Sequence, residues 1–422
     1  MAEPIRAIEF FAGVGGLHYA LRESDAAHKI LRAYDVDDAA VRTYKHNLTD
    51  TPVSTHDIAS LKAADMPEAD LWLLSPPCQP YTRQGLQLAA RDKRAAAMQH
   101  IIDLLELDEA EALRPSLLLL ENVVGFESSA TRQRLVGVLK SAGYCVREVW
   151  ASPAMIGVPN QRTRYFLLAR RLNASRAGAA DSSGSAAASG EQQQQREALP
   201  AELPPALSNV VLLDPAALDE ACVTGTPIPP PVGEVASALQ ASCRPLSDYL
   251  DPADSPDLSA HAVPDHILER YGSATDLVDR TSRRSCCFTK NYSRYIKGTG
   301  SLVCEGGGGG EGGGGEGGGG GAASGSGSSL DASAASVSLP APLLADPLDK
   351  SLEALRPLRP RFFAPREIAR IHGFPEEFEF PSTLSMKKRY ELLGNSLSIQ
   401  VVAALLRFLL STSTALTAPV VS

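Results

Sequence analysis

No stretch of this 422-residue chain approaches the ~18 consecutive apolar residues that a membrane-crossing helix requires. The chain opens Met1-Ala2-Glu3-Pro4-Ile5-Arg6, charged where a signal peptide would be apolar, so an intracellular, cytoplasmic protein is expected, with nuclear entry left open. Its seven cysteines are odd in number and contain no C-x-x-C pair, which argues against a disulfide framework and a zinc site, so no metal is expected. The adjacent Cys286 and Cys287 suit neither role. A cationic excess is also missing: the formal net charge of -9 argues against a generic nucleic-acid coat, so a polyanionic substrate would have to meet a local basic patch. No internal repeat is found. What is present, 44% apolar and 21% charged residues, describes a globular protein with a sizeable core.

From Ala7 to about Ala169, short apolar runs alternate with amphipathic stretches. Ala7 to Phe11, Ile30 to Tyr34, Leu71 to Leu74, Leu117 to Leu120, Val146 to Trp150 and Tyr165 to Leu168 read as strands. Helical spacing lies between them, with Leu17, Ala20 and Leu21 on one face of the first helix and others near Val41, Met98 to Leu105 and Leu135 to Leu139. Such a βαβ series predicts a mostly parallel sheet covered on both faces, an α/β fold. Residues 172–204, rich in Ala, Ser, Gly and Gln, have too few large apolar residues to pack and read as disordered. A second low-complexity insert, glycine interrupted by acids, runs from Glu305 to Ser329 and can loop out at little entropic cost. Beyond it, a helix is signalled from Pro365 to a Gly373 stop. Another, carrying Val401, Val402, Leu405, Leu406 and Leu409, is expected to be capped by Asn395 or Ser396.

Phe10-Phe11-Ala12-Gly13-Val14-Gly15-Gly16-Leu17 joins the first strand to the first helix, with glycines where backbone must turn or approach a ligand. The spacing departs from G-x-G-x-x-G, which points from a pyrophosphate ligand toward a smaller nucleoside; a plain glycine turn is the alternative. Asp35 ends the second strand where a carboxylate can accept ribose hydroxyls, or caps a helix. Asp57, before Ile58, reads either an exocyclic amine or a solvated turn. Ser75-Pro76-Pro77-Cys78-Gln79-Pro80 places a cysteine on a proline-stiffened loop at the carboxyl edge of the sheet, where open α/β proteins bind substrates. Glu121-Asn122-Val123 brings a carboxyl to the same edge, and Gln161-Arg162-Thr163-Arg164 adds two cations. A nucleophile and an acid would then face one pocket.

In this order and spacing the motifs resemble the cytosine-C5 methyltransferase family, as do Phe363-Ala364-Pro365-Arg366-Glu367 and Leu393-Gly394-Asn395-Ser396. Within it the chain is similar to the tRNA-aspartate cytosine-38 methyltransferases long grouped with DNA methyltransferases. That likeness rests on Pro76-Pro77-Cys78-Gln79-Pro80-Tyr81-Thr82-Arg83, on Cys287-Phe288-Thr289-Lys290, and on Tyr295-Ile296-Lys297-Gly298-Thr299-Gly300-Ser301. It covers about Ile5 to Arg170 and Arg283 to Leu409. Val124 stands where the family leads one to expect lysine, and Asn291, Arg294 and Lys297 replace smaller or acidic residues.

The resemblance implies a Rossmann-like class I methyltransferase sheet formed by residues 1–171 and completed by 384–412, with a smaller inserted target-recognition region at 205–383. It implies S-adenosyl-L-methionine as cofactor, held by Phe11, Val14, Gly15, Gly16, Asp35, Asp57, Ile58, Ser75, Asn395 and Ser396. It further implies that Cys78 adds to C6 of cytosine, that Glu121 protonates N3, and that Arg164, with or without Arg162, holds O2. The base that removes the C5 proton is not named by any motif. Arg280, Arg283, Arg284, Lys290, Arg294 and Lys297 form a run without an acid, interleaved with Phe288, Tyr292 and Tyr295. Cations that hold phosphates and rings that stack on bases suit unpaired RNA; a solvated basic face over core tyrosines is the alternative. The expected RNA contacts are Arg83, Arg284, Lys290, Arg294 and Lys297, the expected partner is tRNA, and the enzyme is expected to act as a monomer. DNA methylation by the same site, or a non-catalytic scaffold, would be the competing functions.

Overall fold

The computed structural model describes residues 3–77, 93–172, 199–200, 202–224, 239–306 and 351–411. Eleven strands are found among them: β1 Ile5–Phe10, β2 His28–Tyr34, β3 Val53–Ser54, β4 Leu71–Leu74, β5 Leu117–Val123, β6 Tyr144–Ala151, β7 Arg164–Arg171, β8 Val211–Leu212, β9 Leu277–Val278, β10 Leu302–Cys304 and β11 Pro360–Phe362. The α-helices are α1 Gly16–Glu23, α2 Asp38–Asn47, α3 Lys93–Glu106, α4 Ala130–Ser141, α5 Pro215–Thr224, α6 Asp265–Tyr271, α7 Leu352–Leu355, α8 Pro365–His372, α9 Met386–Asn395 and α10 Ile399–Leu410.

The first eight strands make one sheet in the order β3-β2-β1-β4-β5-β7-β6-β8. Period-2 alternation divides its strands between two cores. Ala7, Leu71, Leu73, Leu119 and Phe166 face the side covered by α1, α2 and α10, whereas Ile8, Phe10, Trp72, Leu74, Leu118, Leu120 and Leu167 face the side of α3 and α4. This is the α/β fold expected from the sequence. The parallel pairing is confined to β1 through β5; β7 runs antiparallel to both β5 and β6, and β8 antiparallel to β6. β8 lies past residue 205, where the sequence suggested a separate region. Two residues carry no periodic signal that could have shown it belongs to this sheet.

On the α4 face, Arg132 is fully buried and donates to both carboxylate oxygens of Glu148, at 2.7 and 2.5 Å, and to Asp219 of α5 at 2.6 Å. The Tyr165 hydroxyl donates to the same Glu148 at 2.5 Å, so the buried charge is paired and hydrogen-bonded on every side. On the opposite face α10 packs against α1 and β7. Its cap is Ser398, whose hydroxyl accepts from Val401, and not Asn395 or Ser396, because α9 runs through Asn395 and Ser396 closes it. Met386–Leu410, the one stretch among the described residues with the length and apolarity of a membrane span, is thus two helices, mostly buried in the core. α8 begins at Pro365 and stops at Gly373 in the left-handed region, as the sequence signals.

A second, three-stranded sheet, β11-β10-β9, closes over Val263, Leu268, Leu302, Leu355 and Leu358. Described residues fall inside the bounds expected for both low-complexity segments. Leu199, within the stretch expected to be disordered, is buried against the main core, while residues 173–198 of that stretch lie outside the described residues. Glu305, expected to begin the glycine insert, accepts from Arg361 at 2.6 Å and Arg280 at 3.1 Å, and Arg361 pairs in turn with buried Glu367. Gly306 donates to the Leu358 carbonyl at 2.9 Å. Residues 307–329 lie outside the described residues.

Because a glycine tract has almost no side chains to pack, replacing 307–329 by a short Gly/Ser joint is expected to leave the thermal midpoint unchanged. Glu305→Ala alone should cost about 1–3 kcal/mol, since it strips charge-assisted hydrogen bonds from two arginines. Thermal melts of the two variants check this; a Glu305→Ala protein melting with the wild type would remove that carboxylate from the support of the small sheet.

Candidate active site

In the order β3-β2-β1-β4-β5 the chain reverses direction of winding at β1 and β4, and open α/β sheets bind ligands at the carboxyl edge beside such a reversal. The loop after β1 turns there through Phe11, Gly13 and Gly15, all at positive φ. A side chain at Gly15 would meet Leu48 at 2.8 Å and the Tyr44 ring at 3.2 Å, so only glycine fits. Val14 is buried in the core. Asp35 follows β2 and uses one oxygen to accept the Gly13 N–H at 2.7 Å and the other to accept the Asp37 N–H at 2.8 Å. Its carboxylate thus organises the loop, and Asp37, not Asp35, caps α2. Burial raises the Asp35 pKa, and these two N–H groups oppose the rise. Asp57 is exposed and caps a short turn through the Ala59 N–H at 3.0 Å; Ile58 beside it is buried. Val36, next to Asp35 and carrying no sequence signal, is an apolar side chain left 66% exposed. Asn395 and Ser396 arrive from the far end of α9, and Ser396 Oγ sits 3.3 Å from where a Cβ on Gly16 would be.

Beneath this loop lies a buried polar chain. The Tyr44 hydroxyl donates to Glu9 at 2.9 Å and lies 2.9 Å from His18 Nδ1, while the His18 backbone N–H donates to Glu9 at 3.3 Å. Burial pushes the Glu9 carboxyl up to about 8, against the opposing effect of its donors, and pushes His18 down to about 4.

At the reacting edge, β5 and β7 run antiparallel with Val123 opposite Arg164 and Glu121 opposite Phe166. Glu121 and Arg164 are therefore diagonal neighbours on one face. The Arg164 guanidinium stands 3.4 Å from one Glu121 oxygen, and the Ser75 hydroxyl donates to the other at 2.8 Å. Asn122, to which the sequence reading gave no role, is buried and donates to the Pro76 carbonyl at 3.3 Å, fixing the proline turn from which the next loop departs. Cys78 and Arg83 lie outside the described residues, which resume at Lys93 after Pro77.

Arg162 is not presented to the pocket as a free cation. It is buried, and one terminal nitrogen donates to the Phe288 carbonyl at 2.9 Å and approaches the Cys287 sulfur at 3.3 Å. The other donates to the carbonyls of Gly394, at 3.1 Å, and Ser396. Cys287 lies between this guanidinium and that of Arg164, 3.7 Å away. Burial alone would raise its thiol pKa, but the two arginines outweigh burial and bring it below the usual value.

The family model for C-5 cytosine-specific DNA methylases matches residues 5–205 and 321–411. The chain belongs to that family. It is 34% identical over 96% of its length to a Bos taurus protein named tRNA (cytosine(38)-C(5))-methyltransferase, of which it covers 99%. It is 30% identical, over 97% of its length and 95% of the relative, to a Dictyostelium discoideum protein named DNA (cytosine-5)-methyltransferase. Among solved structures, a Spodoptera frugiperda DNMT2 mutant superposes with a TM-score of 0.65 at 26% identity, covering 96% of this chain and 100% of the other.

In this cytosine-C5 methylase the basic run divides in two. Arg280 pairs with Glu305, Arg284 with Asp276 at 2.7 Å, and Arg283 donates to the Cys243 carbonyl, so Arg284 braces the fold where an RNA contact was expected. Phe288 and Tyr292 are buried at 1% and 3% exposure, packed on Phe363 and Tyr390, which removes them as stacking surfaces. Sequence could not separate them from Tyr295, which is 53% exposed, because the segment has no period that assigns a face. Lys290, Arg294 and Lys297 have no carboxylate partner among the described residues.

Because the raised Glu9 pKa favours the protonated carboxyl in the folded protein, the stability it confers is complete below about pH 4.5 and is lost as pH rises through about 8. Glu9→Gln, which mimics the protonated form, should melt progressively higher relative to wild type between pH 6 and 9. A gap independent of pH would show that Glu9 does not titrate there.

Proposed function

We propose that this chain transfers a methyl group from S-adenosyl-L-methionine to C5 of cytosine 38 in the anticodon loop of tRNA-Asp, through a covalent bond between Cys78 and C6. The observation that carries the chemistry is the Glu121 carboxyl, held by the Ser75 hydroxyl and the Arg164 guanidinium at the edge where the Pro76-Pro77 turn leads to Cys78. The tRNA assignment rests on relatives at 32–34% identity over 96% of the chain that carry that name.

The cofactor pocket suits an adenosine joined to an amino acid. The glycine loop after β1, Asp35 and the exposed Val36 after β2, and Asp57 after β3 follow three adjacent parallel strands and so stand at the same sheet edge. S-adenosyl-L-methionine bound there supplies a methyl group on a positively charged sulfur. The residues that would hold it are Phe11, Val14, Gly15, Gly16, Asp35, Asp57, Ile58, Asn395 and Ser396; Ser75, also expected there, donates instead to Glu121.

C5 of cytosine is too weak a nucleophile to take that methyl group unaided. The Cys78 thiolate forms a bond to C6 while N3 takes a proton from Glu121, and C5 becomes enamine-like. Once C5 carries the methyl group, loss of its proton to water restores the C5–C6 double bond and expels the thiolate. N3 then returns its proton to Glu121. Arg164, 3.4 Å from Glu121, would hold O2, whereas Arg162 acts through the position of its neighbours.

Cys78→Ala is expected to keep the fold and cofactor affinity and to abolish methyl transfer; turnover within tenfold of wild type would defeat the covalent route. Glu121→Gln should be slowed by about 10²–10⁴ with cofactor binding retained. For the substrate, tritiated S-adenosyl-L-methionine should label total tRNA far better than duplex DNA, because a loop base is already unpaired and a duplex base must first be unstacked. Preferential labelling of duplex DNA would favour the reading suggested by the Dictyostelium relative's name and leave the Cys78 chemistry standing.

A further inference from the structure

The segment after Cys287 leaves the floor of the site and returns to it. The backbone of Lys290 and Thr289 packs so closely on Gly394 that a side chain there would collide with it, and Thr289 N–H donates to the Thr299 carbonyl at 2.9 Å, closing a loop. Its base is rigid. The Tyr292 hydroxyl donates to the Ser301 carbonyl at 2.6 Å and accepts the Phe363 N–H at 2.9 Å, and Gly300, at φ 151°, leaves room for the Tyr292 and Phe288 rings that a Cβ would strike at 2.6 and 2.9 Å. Inside the loop, Asn291 O accepts N–H bonds from both Arg294 and Tyr295, and Ser293 takes the left-handed conformation.

This framework holds three side chains outward. Tyr295 is 53% exposed, and Arg294 and Lys297 are also exposed. The Arg294 guanidinium lies over the Tyr295 ring, 5.3 Å from its centre, and the ring packs on no other aromatic ring among the described residues. An exposed tyrosine whose backbone is pinned on both sides and which carries a cation on one face is a preorganised stacking surface: little freedom remains to be lost when a flat partner arrives.

We infer that Tyr295, backed by Arg294, stacks on an unpaired base of the RNA substrate, with Lys290 and Lys297 holding the flanking phosphates. This rests on the tRNA reading above and adds to it a specificity-determining contact. Stacking on a ring requires a base that has left its helix, so the platform selects loop nucleotides over duplex ones before any chemistry occurs.

The test uses the full-length protein and a fluorescently labelled anticodon stem-loop of tRNA-Asp, read by anisotropy and, in parallel, by methyl transfer. Tyr295→Ala should bind the stem-loop about 5- to 150-fold more weakly, the range that removing one base–aromatic stack produces. Tyr295→Phe should bind as wild type, because the ring and not the hydroxyl makes the contact. The loss should fall in KM for RNA with kcat spared, and cofactor affinity and thermal midpoint should be unchanged. Stem-loops carrying a single abasic nucleotide at each loop position then locate the partner: one abasic position should weaken wild type yet make no difference to Tyr295→Ala. Equal binding by wild type and Tyr295→Ala, or an abasic penalty the same in both at every position, overturns the proposal while wild-type labelling of tRNA keeps the tRNA reading. Failure of the wild-type enzyme to label the stem-loop or tRNA at all overturns both.

Discussion

One buried guanidinium holds the catalytic edge together. Arg162 reaches from the turn before β7 to the carbonyls of Phe288, Gly394 and Ser396, so three stretches far apart in sequence meet on a single side chain. Burial lowers its pKa, with the Arg164 charge adding to the effect, yet four hydrogen-bond acceptors including the Cys287 sulfur keep the ion in place. Everything nearby inherits its position from this hub: the Cys287 thiol, the loop to Tyr295, and the α9 end that meets the cofactor loop at Gly16. A lysine, with one point charge and no planar fork, could not serve these directions at once.

A second constraint is the register of β5 on β7. It sets Glu121 diagonal to Arg164 and leaves Asn122 on the other face to grip the Pro76 carbonyl. The acid and the turn leading to the nucleophile are thus governed by consecutive residues of one strand. A slip of one residue would exchange their faces and dismantle both contacts.

The sheet, its helices and the arrival of Glu121 and the Pro76-Pro77 turn at one edge were legible because each depends on local rules. Ser75 was expected at the cofactor and instead bonds Glu121, and Arg164 reaches that edge because β7 runs antiparallel. Alternating apolar runs gave β1, β4 and β5, glycine followed the helix that stops at Gly373, and strand ends in a parallel sheet point to one edge. What escaped depends on contacts remote in sequence. β8 is two residues long and pairs with Trp150 and Val149 across the sheet. Glu305 looked like the start of a glycine tract until Arg361 and Arg280 were found on it. Arg162 and Arg164 are indistinguishable as sequence, and only tertiary contacts make one a brace and leave the other beside the Glu121 carboxyl. The same holds for Tyr292 and Tyr295, three residues apart with opposite fates.

The packing of α10 on α1 has a consequence for biosynthesis. As the polypeptide leaves the ribosome, β1, α1 and β2 are made early, yet the surface of Leu17 and Leu21 is covered by a helix encoded beyond both low-complexity tracts. Until Ile399–Leu410 emerges, the nascent chain carries an open apolar face, the condition under which folding intermediates aggregate or engage chaperones. A transcript ending before codon 399 would yield a chain holding every residue of the Cys78 and Glu121 motifs but unable to bury its own first helix, so quality control, and not chemistry, would decide its fate.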